Sequence, residues 1–405
     1  MSLNKDQMKA KQAKLKAIQN AMKQLEKSTK KEGIAYMLGD KPVQAIEATS
    51  TGSLMFDLAL GVGGFPKGRI IELFGAESSG KTLTATRAAA ECQKAGGVVA
   101  LVDMEHAFDP SFARKLGLNT DELILSQPDH MQDAFKVIDA MIDAGVDFII
   151  LDSVAALVPQ EELEGEIGKQ TIGLVARYMS QFLRRITPKT AQNGSTVVFI
   201  NQVRDAIGVM YGDPTTTPGG KALKFYASVR CQISKVGGSN ITKKVGGEDV
   251  VVGHSIRATV KKNKVAPPFR KAEFVIYYDG RPVDKAEELA QVALLKGLIP
   301  KYDAQGNLSE TGRTYKWPSE PKFEAKKKDD VAKELKKFPK MQEELIDILR
   351  GAIEDPESVP VYDSEDMDGD LSDEDFERMA LEDAAKIKNG KIDNEAEEES
   401  SWDEV

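Results

Sequence analysis

Cysteine is nearly absent from this chain: only Cys92 and Cys231 occur in 405 residues, far apart and outside any C-x-x-C spacing. That excludes a disulfide framework and a cysteine-built zinc site, and leaves two buried or half-buried free thiols as the reading. There are only three histidines; His106 has no partner at ligand spacing, so it reads as a packing or hydrogen-bonding residue and no protein-held zinc is expected. No apolar run approaches the roughly 18 residues that a membrane helix needs. The start Met1-Ser2-Leu3-Asn4-Lys5-Asp6 also lacks the apolar centre of a signal peptide. A cytoplasmic chain with no membrane partner is the expectation. What is present is 41% hydrophobic residues, enough for a globular protein, in a chain too long for one ordinary core.

Charge is unevenly spread. Residues 354–405 hold 21 acidic and 4 basic side chains, a net of −17, so the overall −9 leaves +8 for residues 1–353. A basic body suits a polyanion such as nucleic acid, and an acidic tail would compete for the same surface. The tail fits equally a disordered segment that aids solubility, being poor in aromatics and dense in Asp and Glu.

Four stretches follow one another along the chain. Residues 1–42 begin with a Lys-rich helix whose Leu15, Ile18, Met22 and Leu25 form one apolar stripe, a face that must dock on something, and end in a linker. From 43 to 282, short apolar runs alternate with helical patterns: Ile70 to Phe74, Val98 to Asp103, Phe148 to Asp152 and Thr196 to Asn201. That alternation predicts an α/β fold with a largely parallel, doubly wound sheet. The later runs Ser228 to Lys235, Ser255 to Lys261 and Ala272 to Tyr278 would extend it by antiparallel hairpins. Residues 283–352 read as a small α+β module, with Glu287 to Leu295 and Met341 to Leu349 its clearer helices, and 353–405 as the acidic tail.

The first apolar run leads into Gly75-Ala76-Glu77-Ser78-Ser79-Gly80-Lys81-Thr82, and Leu83 to Lys94 continues as a helix. This is G-x-x-x-x-G-K-[ST] in its required context, a strand before and a helix after. Glycines let backbone N–H groups curl round a polyphosphate, Lys81 supplies a point charge for the β and γ phosphates, and the Thr82 hydroxyl suits Mg²⁺. A bound nucleoside triphosphate follows.

Ligands of parallel sheets sit at the carboxyl ends of strands, and the next runs end in Asp103-Met104-Glu105, Asp152-Ser153 and Asn201-Gln202. Asp152 suits a water-mediated Mg²⁺ contact beside Thr82, or a helix cap. Glu105 suits polarising the water that attacks the γ-phosphate, or a surface ion pair. Gln202 suits sensing that phosphate, or satisfying backbone groups. Glu164 to Gly173 and Val203 to Gly220 read as loops that grip a ligand; the second places Arg204, Met210, Tyr211, Pro214 and Pro218 on flexible backbone, as unstacked bases and phosphates require, unless it is a plain surface insertion.

Several words in order resemble a RecA-type homologous recombinase, bacterial or bacteriophage-encoded, over about 1–352 and most strongly over 45–282. They are Ser50-Thr51-Gly52-Ser53, the phosphate loop, Asp103-Met104-Glu105-His106-Ala107, Asp152-Ser153-Val154-Ala155-Ala156-Leu157, Glu164-Gly165-Glu166-Ile167-Gly168, Phe199-Ile200-Asn201-Gln202-Val203-Arg204, Gly219 to Arg230, and Lys262-Asn263-Lys264. The resemblance implies a DNA-dependent ATPase that uses ATP and Mg²⁺. It would form a helical filament of itself on single-stranded DNA and exchange strands with homologous duplex, in recombination and repair, with mediator or single-strand binding proteins as further partners. It implies Glu105 as hydrolytic base, Gln202 as γ-phosphate sensor, and Asp109, Phe112 and Pro268 at the nucleotide, with Phe112 where the family more often has Tyr. Lys262 and Lys264 would reach a neighbouring subunit's ATP, and Phe225 would couple DNA to ATP at the subunit interface. Gly165, Glu166, Ile167, Ile172, Arg177, Arg204, Tyr211, Gly219, Gly220 and Lys221 would fall in or beside the two DNA loops. Ala76 and Leu83 depart from the family pattern, where Pro and a hydroxyl residue are usual. Two other classes share this core: a hexameric helicase or ATPase motor, and a DNA-coating protein without useful hydrolysis, against which Glu105 argues.

Overall fold

A nearly continuous apolar strand must be covered on both faces, and Ile70–Gly75 (β1) has that place, all six residues buried at the middle of an eight-stranded sheet. The computed structural model describes residues 5–30, 34–35, 45–165, 173–205, 215–281 and 284–354. They fall into two compact units, 1–46 and 47–405. In the first, Lys5–Thr29 (α1) is a helix on which Met8, Ile18 and Leu25 are exposed.

In the second unit, β1 is followed by Val99–Asp103 (β2), Leu123–Ser126 (β3), Phe148–Asp152 (β4) and Thr196–Gln202 (β5). These five strands are all parallel, in the order β1-β5-β4-β2-β3. On the other side of β1 lies Val229–Val245 (β6), parallel to it, then Glu248–Asn263 (β7) and Lys271–Tyr277 (β8), each antiparallel to its neighbour. The α/β class and largely parallel sheet are as the sequence indicates. Two features differ. The edge strand β3 is half exposed and carries no buried apolar run, and the β6–β7 hairpin extends well beyond its apolar portion through solvent-exposed residues that offer no burial signal.

Alternate residues of each strand feed opposite layers. Ile71, Leu73, Val198 and Ile200 join one core with Phe56, Ala85, Ala88 and Ala89. Val197, Phe199, Ile149 and Leu151 join the other with Ile138, Leu183 and Ile186. The alanines lie on Lys81–Lys94 (α3), where short side chains bring the helix close to the sheet. The opposite layer is Met131–Asp143 (α5) and Leu174–Asn193 (α6), joined by Phe135 stacked on Phe182 at 4.0 Å. Each fully buried large side chain contributes about 1.5–3 kcal/mol. Shorter helices are Leu54–Leu60 (α2), Pro110–Lys115 (α4) and Lys221–Tyr226 (α7).

Beyond residue 283, Lys285–Leu295 (α8), Lys328–Leu335 (α9) and Pro339–Glu354 (α10) enclose a three-stranded antiparallel sheet around a core of Leu289, Val292, Trp317, Phe323, Val331, Leu335, Leu345 and Leu349. Helix α8 is tied to the rest by buried Glu288, which accepts from Ser53 Oγ and from Met55 N at 3.1 Å. Residues 355–405, most of the acidic tail, lie outside the described residues, and among the described ones no helix is long and apolar enough to cross a membrane. Both cysteines are buried, and burial pushes the Cys92 thiol up to about 11.

Beside Glu288, Asp57 accepts from Ser50 Oγ (2.6 Å), Thr51 N (2.8 Å) and Thr51 Oγ1 (2.7 Å). Burial nevertheless raises its pKa to about 7, and the Glu288 carboxylate adds to the rise. A carboxyl whose folded pKa lies above its unfolded value stabilises the fold fully below the unfolded pKa of 3.8, and the contribution is lost as pH climbs through the folded one. Between about pH 5 and about pH 8 this group should therefore cost on the order of 2 kcal/mol of stability. Denaturant melts of the protein and of Asp57→Asn at both pH values check this: the variant should show the flatter dependence, and equal slopes would exclude Asp57 as the source.

Candidate active site

Strand β1 delivers the chain to a turn that only glycine permits at its first position: a Cβ on Gly75 would stand 2.0 Å from the Ile233 carbonyl oxygen. Gly80 turns into α3 at φ +95°, and Ser78 also takes positive φ. Ala76, Glu77 and Ser78 are exposed, while Ser79 is buried with an Oγ that has no hydrogen-bond partner among the described residues. Lys81 is buried, its Nζ donating to the carbonyls of Gly75 (3.1 Å) and Ala76 (2.7 Å). Burial lowers its pKa; Asp152, Glu105 and Glu77 act the other way.

Thr82 Oγ1 donates to Asp152 Oδ2 at 2.7 Å, which brings the α3 start to the end of β4. Asp152 is raised to about 6, chiefly by burial, with the Glu105 and Asp103 carboxylates adding to it and the Thr82 bond and the Lys81 charge opposing. The β2–β4 register sets Asp103 opposite Asp152. Asp103 shapes the turn that follows: Oδ1 accepts from Glu105 N (3.1 Å), and Oδ2 accepts from Phe108 N (3.1 Å) and Gln127 Nε2 (2.9 Å). Ser153 Oγ then donates to Glu105 Oε1 at 2.5 Å, fixing that carboxylate beside Asp152. Thr82, Leu83, Glu105, Asp109, Phe112 and Asp152 line one pocket of about 250 Å³. Asp109 caps α4 by accepting from Ser111 N and Phe112 N, which sets the Phe112 ring at the wall. A hydroxyl beside carboxylates is a hard-oxygen set that fits Mg²⁺. Among the described residues no cluster of three acidic, His or Cys side chains is placed to hold a metal ion.

Gln202 ends β5 directly opposite Gly75 in the parallel register, and the next amide, Val203 N, donates to the Gly75 carbonyl at 3.2 Å. A second group gathers at the end of β7. Lys262 Nζ donates to the carbonyls of Lys224 (2.6 Å) and Phe225 (3.0 Å), and Lys264 Nζ donates to that of Phe225 (3.3 Å). Pro268 is half-buried in the turn between β7 and β8. Of the loop residues, Gly165 follows a short helix over Gln160–Leu163, and exposed Arg177 in α6 lies 5.7 Å from the Tyr178 ring. Gly219, Gly220 and Lys221 lead into α7. Glu166, Ile167, Ile172 and Tyr211 lie outside the described residues, as does the Arg204 side chain; the backbone of Arg204–Asp205 pairs with Thr215–Thr216.

Asp103, Ser153 and Asn201 are visible in the sequence as strand ends without a role. What they do depends on contacts 24 to 129 residues away, which spacing does not reveal. On the far side of the phosphate loop, a cleft of about 600 Å³ is lined by Glu77, Ser79, Lys235, His254 and Tyr278; His254 and Tyr278 carry no motif that would mark them.

Residues 16–281 match the family described as the RecA N-terminal domain. Protein RecA of Acinetobacter baylyi is 49% identical over 305 residues, 74% of this chain and 85% of that protein. Protein RecA of Thermus thermophilus is 50% identical over 291 residues, 72% of this chain and 84% of that protein. A solved structure of the RadB recombinase matches with 22% identity and a TM-score of 0.43, over 57% of this chain and 97% of that one. With a family match across most of its length and relatives at half identity, this chain belongs to the RecA family.

Proposed function

We propose that this chain, a RecA-family protein of recombination and DNA repair, couples ATP hydrolysis between neighbouring copies of itself to its grip on single-stranded DNA and to pairing with homologous duplex. The observation that carries the reading is the register of Gln202 opposite Gly75, which links the mouth of the phosphate site to the start of the segment 203–220. The polyphosphate of ATP would draw Lys81 from the Gly75 and Ala76 carbonyls it now holds, a weak neutral partnership exchanged for an anionic one. Thr82 and, through water, Asp152 would hold Mg²⁺, which supplies charge neutralisation at the phosphates. Glu105, aimed by Ser153, orients the attacking water. Asp109, Phe112 and Pro268 border the base, and Phe112 offers it a stacking face.

Lys262 and Lys264 act on the ATP of the next subunit, so hydrolysis depends on assembly. Phe225, whose carbonyl both lysines hold, belongs to that interface. Helix α1, with its exposed stripe, docks on the neighbouring protomer. Gly165, Glu166, Ile167, Ile172, Arg177, Arg204, Tyr211, Gly219, Gly220 and Lys221 serve the DNA. In this reading residues 1–42 serve polymerisation, 43–282 ATP and DNA binding, 283–352 form a smaller accessory domain, and 353–405 an acidic segment. Mediator or single-strand binding proteins are further partners, and the cytoplasm is its place of action.

Electron microscopy of the protein on single-stranded DNA with a slowly hydrolysed ATP analogue tests the reading. Long helical filaments are the expected result; discrete closed rings would overturn it in favour of a motor.

A further inference from the structure

Glu72, in the middle of β1, is fully buried, and a buried carboxylate is costly unless it is paired and hydrogen-bonded. Its partners come from both neighbouring strands. Arg230 Nε, from β6, is 2.6 Å from Oε2, and the guanidinium lies 4.6 Å from the Phe74 ring centroid. Asn201 Nδ2, from β5, donates to Oε1 at 2.9 Å. One carboxylate thereby ties together the three central strands, between the middle of β1 and the end of β5.

Asn201 is itself fully buried and uses both ends of its amide. Besides Glu72, Nδ2 donates to the Pro218 carbonyl at 3.0 Å, and Oδ1 accepts from Gln202 N at 3.0 Å. A carboxylate can only accept, so Glu72 fixes which way the amide faces. The same side chain then holds the amide of Gln202 and the end of the segment that begins after it. Past Pro218 the backbone is closely fitted. A Cβ on Gly219 would stand 2.9 Å from Val154 Cγ1, two residues after Asp152, and one on Gly220 would stand 2.7 Å from Ala176 Cβ, beside Arg177.

We infer that Asn201 is a positioning residue that transmits the placement of Gln202 to the Pro218–Gly220 exit of the second loop, with the Glu72–Arg230 pair holding its amide in the transmitting orientation. The inference rests on the proposed function, because it describes how the nucleotide's state reaches the DNA loop. A side chain serving only local backbone would not bridge 129 residues back to Glu72 and 17 forward to Pro218.

The test compares the affinity of a fluorescently labelled oligo-dT for the full-length protein with ATPγS and with ADP. The wild type should bind more tightly with ATPγS. In Asn201→Ser, which is too short to reach Glu72 and Pro218, that ratio should fall about fivefold or more toward unity, while ATPγS affinity stays within about twofold. A wild-type ratio retained in Asn201→Ser would overturn the inference, even if the melting temperature falls. If Asn201→Ser does not fold, hydrogen exchange of the wild type decides: without DNA, ATPγS relative to ADP should slow exchange of the amides of Gly219, Gly220 and Lys221, and unchanged exchange would overturn it. Equal oligo-dT affinity of the wild type with both nucleotides would instead remove the proposed function, and the inference with it.

Discussion

Glu105→Gln is expected to lower ATP turnover on single-stranded DNA by about 10²- to 10⁴-fold, the usual contribution of a positioned general base. The substitution is chosen for what it keeps. Ser153 Oγ donates to Glu105 Oε1 at 2.5 Å, and a glutamine carbonyl oxygen can accept that bond, so the side chain retains its place while losing its basicity. The backbone N–H of residue 105 is still held by Asp103 Oδ1, so the turn is undisturbed. ATP affinity should then change by no more than about threefold, and nucleotide-dependent DNA binding should persist. Ser153→Ala tests the aiming rather than the basicity, and a smaller loss, about tenfold, is expected of it. Single-turnover hydrolysis and fluorescent-nucleotide titration separate the two quantities. Turnover unchanged in Glu105→Gln would remove that carboxylate from the chemistry, and a parallel loss of ATP binding would make it a structural residue.

The parts of the site written as contiguous pattern were the legible ones. The turn from β1 to α3 is marked by glycines at Gly75 and Gly80, positions where a Cβ collision or a positive φ leaves little choice of residue. The parallel strands are legible for a related reason: β1, β2 and β4 are buried almost throughout, so β2 and β4 appear as unbroken apolar runs that end in an aspartate, and β1 as an apolar run interrupted only by the buried, paired Glu72. Edge strand β3 is paired on one side and half exposed, and its apolar stretch is only the three residues Leu123 to Leu125, too short to stand out as a strand. The exposed end of the β6–β7 hairpin buries no face, so backbone pairing alone extends it. Ser153 meets Glu105 and Asn201 meets Glu72 because distant strands lie side by side in the parallel sheet, and Asn201 meets Pro218 because the chain returns to that strand 17 residues on. Pairings of that kind are a product of topology, and no local window contains them. The carbonyl partners of Lys262 and Lys264, 37 to 39 residues away, are hidden for the same reason.

Mixing two crippled proteins should restore hydrolysis that neither shows alone. If Lys264 serves the ATP of an adjacent subunit, Lys264→Ala removes transition-state charge stabilisation and should reduce turnover about 10³-fold, the low end for such a cationic finger. The substitution costs little locally, because Lys264 is exposed and, among the described residues, Nζ donates to one carbonyl, that of Phe225, at 3.3 Å. An interface in a head-to-tail assembly needs Glu105 from the subunit that holds ATP and Lys264 from its neighbour. In a random co-assembly of Glu105→Gln and Lys264→Ala in equal amounts, roughly a quarter of interfaces join an intact Glu105 to an intact Lys264. The mixture on single-stranded DNA should therefore approach roughly a quarter of wild-type turnover, at least tenfold above either protein alone. The gain should vanish at protein concentrations too low for assembly, since it belongs to the interface and to no single chain. Turnover no higher than the average of the two separate proteins would mean that both residues act within one protomer, and the shared site between subunits would have to be given up.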